Sequence, residues 1–258
     1  MTMNPADRAW AARPPTHFDR PRLDEEEVER IRRERLVPLV TQWDYLHLAG
    51  LRRGLGAAIR AVGPVPGPSL DLFCGTKPYL ELIPSRPTWG LDLDMHFGRA
   101  DVLGSSPLPF RDASFGLVFC SQALHLLDDP RSIVEEVGRV LRPDGAVIAT
   151  VPHLFIAEGD FERHWSPRDL RGLFAGWRDV EVRGIDGPGV ALAFVMGRIA
   201  MLGARRWRLP EPLFRSGIVA MNATCEFLDT LLTPVHPRWP HGLVLVARRP
   251  GDHHHPSG

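Results

Sequence analysis

The sequence predicts an α/β protein: a mostly parallel, seven-stranded sheet with helices on both faces, a helical cap before it and a helical insertion ahead of the last strand. Two observations carry this. From Ser69 onward, short apolar runs alternate with helical segments, which is the rhythm of parallel strands joined by right-handed crossovers. Several of the runs are apolar without alternation, as strands buried on both faces are.

The elements follow in order. Residues 1–22 read as a flexible arm. Residues 23–65 read as the cap: Asp24, Glu25, Glu26 and Glu27 place acid in a first helical turn, where the helix dipole favours it. A second helix is expected from about Gln42 to Val62, with Trp43, Leu46, Leu48, Leu51, Leu55 and Ile59 on its apolar side. The core spans 66–188. Its strands are expected at Ser69–Phe73, Thr88–Leu93, Ala100–Val102, Gly116–Ser121, Ala146–Pro152 and Trp177–Ile185, with helices at Pro78–Ile83, Pro130–Leu141 and Ser166–Phe174. The turn Arg142-Pro143-Asp144-Gly145 is expected to stop one helix and launch the next strand. A largely helical apolar block, 189–235, precedes the final strand Gly242–Arg248, within 236–250. A tail, 251–258, carries three histidines and lies outside the fold reasoning.

Composition narrows the function classes. Formal net charge is zero, and no basic stripe interleaved with aromatics is present, which argues against a nucleic-acid partner. Lys77 is the only lysine; every other cation is arginine or histidine. Cys74, Cys120 and Cys225 are few, odd in number and far apart, so neither a disulfide framework nor a metal site is expected. Cys74 and Cys120 read as small buried packers. The N-terminal stretch lacks the apolar core of a signal peptide, and the run from Gly189 to Gly203 is too short to span a bilayer, so a cytoplasmic protein is expected. The apolar block reads as core or oligomer surface, or else as a lid for a lipophilic substrate or a peripheral membrane face.

Ligands of open parallel sheets bind at the carboxyl ends of strands. The first such end here is Asp71-Leu72-Phe73-Cys74-Gly75, and the second is Gly90-Leu91-Asp92-Leu93-Asp94. Asp92 lies 21 residues after Asp71; an acid at that spacing suits two adjacent ribose hydroxyls, since one carboxylate accepts both hydrogen bonds. Asp71 is read as bracing the loop, or alternatively only the sheet, and Asp94 as a turn residue. The frame that would hold G-x-G-x-x-G reads Phe73-Cys74-Gly75-Thr76-Lys77-Pro78, with one glycine. The phosphate fingerprint fails, and a nucleoside cofactor without phosphate suits the loop better.

The ordered set LDLFCG, GLDLD, AD, LPFRDASFGLVFCSQALHLLDDP and LRPDG resembles the class I S-adenosylmethionine-dependent methyltransferases, of the bacterial type 11 kind, from Ser69 to Pro152 and more loosely beyond. The resemblance implies a Rossmann-like sheet and S-adenosylmethionine as cofactor. It implies that Asp71 and Gly75, with Phe73, Cys74 and Lys77, form the loop at the methionine part. Asp92 and Leu93 would hold the ribose, and Asp101, Val102 and Leu103 the adenine. Cys120, Ser121 and Gln122 would lie beneath the sulfonium. Three positions depart from the family: Phe73 and Lys77 stand where glycine is usual, and Gly116 where aspartate usually follows Phe115. Lys77 would either crowd the methionine tail or pair with its carboxylate.

The expected activity is methyl transfer to a small-molecule or lipophilic acceptor. His125 and His153 follow strands and His164 precedes a helix, and the three are the candidates for a general base; His125 also reads as a loop cap, and His153 and His164 as structural or surface residues. Two other classes stay open: a catalytically silent binding or regulatory protein on this fold, motivated by Phe73 and Lys77, and an NAD(P)-dependent oxidoreductase, which the missing glycines oppose. Oligomer formation is left open by the sequence.

Overall fold

The computed structural model describes residues 21–84, 86–154, 163–207, 209–232 and 240–250. The expected arm up to residue 20 and the tail from 251 lie outside the described residues. Seven strands form one sheet in the order β3-β2-β1-β4-β5-β7-β6. They are β1 (Ser69–Leu72), β2 (Thr88–Asp92), β3 (Val102–Leu103), β4 (Phe115–Ser121), β5 (Leu141–Pro152), β6 (Arg178–Ile185) and β7 (Gly242–Arg248). The pairs β1–β2, β1–β4, β2–β3 and β4–β5 are parallel, whereas β7 runs antiparallel between β5 and β6. The helices described are α1 (Glu25–Leu36), α2 (Tyr45–Val62), α3 (Pro130–Val140), α4 (Pro167–Leu173), α5 (Pro188–Trp207) and α6 (Glu211–Leu232).

The central strands alternate their side chains between two cores. On one face Leu117, Phe119, Ala146, Ile148 and Val244 pack under the α2 residues Leu51, Leu55, Ala58, Ile59 and Val62. On the other, Val118, Cys120, Val147, Ala149 and Val151 meet Ile133, Val134, Val137 and Val140 of α3. Each such fully buried aliphatic contributes roughly 1.5–3 kcal/mol before conformational entropy is charged. Loss of register by one residue would exchange the two cores, so the alternation itself pins the strands.

Several boundaries differ from the sequence expectation. The segment after β1 forms a 3-10 turn, Leu80–Leu82, in place of an α-helix. The third strand is displaced to Val102–Leu103. β5 begins at Leu141, which pairs with Phe115 before the register shifts and Ala146 resumes opposite Leu117; the expected Arg142–Gly145 turn is a bulge inside the strand. Gly116 has a direct reason: a Cβ there would stand 2.2 Å from the Pro66 carbonyl oxygen, so aspartate does not fit.

No helix bridges β2 and β3. Instead α1 covers that connection from outside. Arg99 pairs with Glu25 at 2.5 Å and Glu29 at 3.4 Å, the Leu23 N–H donates to the His96 carbonyl, and Arg32 of α1 reaches Glu81 at 2.8 Å. α1 is started by Asp24, whose carboxylate accepts the Glu27 N–H.

The cap and the insertion pack as one helical unit. Leu46, Val190, Ala193 and Cys225 form a shared core. The Asn222 side chain of α6 donates to the Val40 and Gln42 carbonyls ahead of α2. Asp229 of α6 accepts the N–H groups of Gly187, Gly189 and Val190 at 2.9–3.2 Å and so caps the start of α5 from a neighbouring helix. Asp229→Ala removes that cap and should cost about 1–2 kcal/mol, read as a lower urea midpoint at unchanged slope; an unchanged midpoint would show that the cap carries no stability.

Candidate active site

The carboxyl edge of the sheet brings together Asp71, the loop after β1, Asp92, Asp101 and the end of β4. β1 and β2 are in register, with Asp71 beside Gly90. The loop then turns through three left-handed residues, Phe73 (φ 58°), Gly75 (φ 52°) and Lys77 (φ 50°). Phe73 and Lys77 therefore keep the backbone that glycine would adopt freely, at a cost of about 1–2 kcal/mol each. Phe73 offsets this by packing on the core. The Cys74 N–H donates to the Leu91 carbonyl at 3.0 Å, tying the loop to β2.

Asp92 ends β2, and its two oxygens accept the Gly75 N–H at 2.9 Å and the Leu93 N–H at 2.8 Å. The acid is thus oriented by the loop on which a cofactor would lie. Asp101 stands just before β3 and accepts the Gly90 N–H at 2.7 Å. Lys77 runs across Gly90 and donates from Nζ to the Asp101 carboxylate at 2.6 Å. A Cβ at Gly90 would meet Lys77 Cε at 2.1 Å, so glycine is what lets the lysine pass. Lys77 is held by a carboxylate of this chain, a partner not foreseen from sequence.

The electrostatics follow from this placement. Burial pushes the Asp71 carboxyl well above the usual range, opposed by Lys77 and reinforced by Asp92 and Asp101. Burial also works upward on Asp101, but the hydrogen bonds from Lys77 and Gly90 outweigh it and hold that carboxyl below its ordinary value. Burial raises the Cys74 and Cys120 thiols far above the physiological range; both are free and buried. They are packers, not nucleophiles.

At the end of β4, Ser121 Oγ lies 3.1 Å from Thr150 Oγ1, and the Gln122 N–H donates to the Thr150 carbonyl at 2.9 Å. Gln122 is left-handed (φ 56°), which fixes a polar shelf at the strand end. Of the candidate bases, His125 is buried in a 3-10 turn, and burial brings it down to about 4. His153 places Nδ1 2.7 Å from the Trp165 carbonyl; a carbonyl only accepts, so Nδ1 carries the proton and Nε2 is the basic nitrogen. His164 is exposed.

Two further histidines belong to this edge and were not singled out from sequence. His47 of α2 and His241, just before β7, face each other with Nδ1 and Nε2 2.9 Å apart. Phe194 of α5 packs on both, at 5.2 and 5.1 Å between ring centroids. The backbone carbonyl of His241 accepts the N–H groups of His153 and Leu154. The available signal was positional: β7 is antiparallel, so its first residue lies opposite Pro152, at the carboxyl end of β5. Among the described residues no group of three or more histidines, cysteines and carboxylates is arranged to hold a metal ion.

This geometry suits a nucleoside cofactor better than a phosphate-bearing one. Three carboxylates face one lysine, which opposes a pyrophosphate, and Asp92 is preset at a strand end. Residues 74–149 match the model of a methyltransferase domain family. Those residues carry the likeness to a methyltransferase domain, and they include the loop after β1, Asp92, Asp101 and the end of β4.

Two curated proteins similar to this chain are methyltransferases by name. An uncharacterized chloroplastic methyltransferase of Arabidopsis thaliana is 43% identical over 63 residues, 24% of this chain, and the match spans only 16% of that protein. The demethylmenaquinone methyltransferase of Renibacterium salmoninarum is 25% identical over 60% of this chain and 86% of its own length. Among solved structures, SpnF, named as a [4+2]-cyclase, superposes with a TM-score of 0.52 at 18% identity, covering 77% of this chain and 80% of that one. That likeness shows the fold.

The histidines give a pH prediction. Burial lowers His47 well below its usual value, and burial holds His241 near 4. At His241 the unfolded chain takes up a proton from about pH 6.5 downward that the folded chain refuses until about pH 4, and the lowered His47 acts in the same direction. Stability from these groups is full at neutral pH and lost as pH falls through that window. The melting temperature of wild type should therefore fall more steeply between about pH 7 and 4.5 than that of His241→Gln; parallel curves would contradict the assignment. Separately, Lys77→Met should cost about 0.5–1 kcal/mol at neutral pH, a figure kept low because the Asp101 side chain is 42% exposed. An unaltered denaturant midpoint would show the ion pair to be idle.

Proposed function

We propose that this chain is an S-adenosylmethionine-dependent methyltransferase that methylates a small-molecule or lipophilic acceptor by in-line transfer. The observation that carries it is Asp92, held at the end of β2 by the N–H of Gly75, with Asp101 and Lys77 forming a fixed floor beside it. When bound, the cofactor supplies an activated methyl group on a sulfonium.

The chain's residues then have distinct tasks. Asp92, with Leu93, would hold the ribose hydroxyls, one carboxylate accepting both hydrogen bonds. The backbone of Phe73, Cys74 and Gly75, with Asp71, would hold the methionine part. Asp101, Val102 and Leu103 would hold the adenine. Cys120, Ser121 and Gln122, at the end of β4, would line the place of methyl transfer. Lys77 serves as a strut to Asp101, leaving the cofactor carboxylate to other donors. Asp92 and Asp101 together outweigh the one charge of Lys77, which favours a cationic ligand over an anionic one.

Of the histidines, His153 is the best placed base, because its Nδ1–H is fixed on Trp165 and Nε2 is left to accept a proton. His125, near pKa 4, is neutral at physiological pH and positions the acceptor. His164, being exposed, closes the rim. The helical unit of α2, α5 and α6 roofs the edge through Phe194, His47 and His241 and excludes water from the transfer.

Calorimetry with S-adenosylhomocysteine should show one site per chain. Asp92→Ala should weaken it about 10- to 100-fold, the value of hydrogen bonds to a charged group, while His153→Ala leaves it within about twofold. NAD should give no thermal shift. Absence of binding in wild type would instead favour a silent binding protein on this fold.

A further inference from the structure

The connection between β2 and β3 runs through residues 93–101 without a helix. Inside it, Asp94 accepts the His96 N–H at 2.8 Å, and the Gly98 N–H donates to the Met95 carbonyl at 2.9 Å. Parallel strands are ordinarily joined by a crossover helix, which also holds the turn leading into it. Here the segment at the start of α1 takes that place. The Leu23 N–H donates to the His96 carbonyl at 2.8 Å. His96 Nδ1 lies 2.7 Å from the Pro21 carbonyl and, since a carbonyl only accepts, donates to it. Arg22 lies on Gly98, where a Cβ would stand 2.6 Å from the guanidinium Nε. Arg99 pairs with Glu25 and Glu29 of α1. Exposed ion pairs are individually weak, but these contacts grip residues 96, 98 and 99, on both sides of Phe97.

The ring held in this way lies on the loop after β1. A Cβ at Gly75 would meet Phe97 Cδ2 and Cε2 at 3.9 Å, an ordinary contact distance. Gly75 is the residue whose N–H fixes Asp92 at 2.9 Å. The Phe97 ring is half-buried, meets the His96 ring edge-on with 4.7 Å between centroids, and belongs to none of the three buried clusters. Core packing therefore does not account for its position. Ligand sites combine a few placed polar groups with apolar or aromatic walls. Asp92 is such a polar group, and Phe97 is the aromatic surface next to the glycine that presets it.

We propose, on the methyltransferase reading given above, that Phe97 is a cofactor-site residue whose ring walls the sugar of the nucleoside beside Asp92, and that α1 is the clamp that positions it through His96 and Arg99. The carboxylate takes the sugar hydroxyls, and the ring covers the carbon face that they leave. Arg99 and Glu25 are 74 residues apart in the chain, so the start of the chain sets cofactor affinity from outside the sheet.

Calorimetry of the full chain with S-adenosylhomocysteine tests both parts. Phe97→Ala should weaken binding about 10-fold and make the heat-capacity change of binding less negative, whereas Phe97→Tyr, which keeps the ring, should stay within about twofold. Arg99→Ala should weaken binding about three- to fivefold in the wild-type background and have no further effect on top of Phe97→Ala, because it acts through that ring. Circular dichroism and the melting temperature check that each variant is folded at the assay temperature. Wild-type binding that Phe97→Ala leaves unchanged would overturn the proposal. An Arg99→Ala effect that persists undiminished in the Phe97→Ala background would overturn the clamp. Absence of binding in the wild type would instead remove the methyltransferase reading, and the proposal with it.

Discussion

One lysine among three carboxylates holds the edge of this sheet together. Asp71, Asp92 and Asp101 come from the ends of β1 and β2 and the start of β3; burial and the neighbouring acids favour the neutral form of Asp71, and Lys77 offsets the charge that Asp92 and Asp101 bring to the edge. Lys77 is the chain's only lysine, and its path across Gly90 to Asp101 sets a positive charge against them. Two local costs are accepted for it: a left-handed backbone at Lys77 and the loss of any side chain at residue 90. The result is a loop fixed to β2 and β3 without a run of glycines, so Asp92 can be preset by the N–H of Gly75.

The second constraint comes from the roof. The cap and the insertion are far apart in the chain, yet the bonds of Asn222 to Val40 and Gln42 and the core around Leu46 make them one body. That body sets Phe194 on the His47–His241 pair at the carboxyl edge, beside the loops that carry His125 and His153.

Much of the sheet was legible because strand residues such as Leu117, Val118, Phe119 and Cys120 are apolar on both faces, and because the acids at strand ends stand out against them. The family resemblance rested on the same residues. What sequence left hidden depends on contacts made across long separations. The missing helix between β2 and β3 is replaced by α1 through Arg99 and Glu25, 74 residues apart. The partner of Lys77 is 24 residues away and could not be told from a cofactor carboxylate. The His47–His241 pair joins residues 194 apart, with no motif at either end. Gly116 looked like a departure from the family, and only the approach of Pro66 explains it.

The most direct measurement is a crystal structure of the chain soaked with S-adenosylhomocysteine. The account predicts the ribose on Asp92, the methionine part along Phe73 to Gly75, and Lys77 still within hydrogen-bond distance of Asp101. A ligand bound elsewhere, or Lys77 released from Asp101 to grip the ligand's carboxylate, would contradict it.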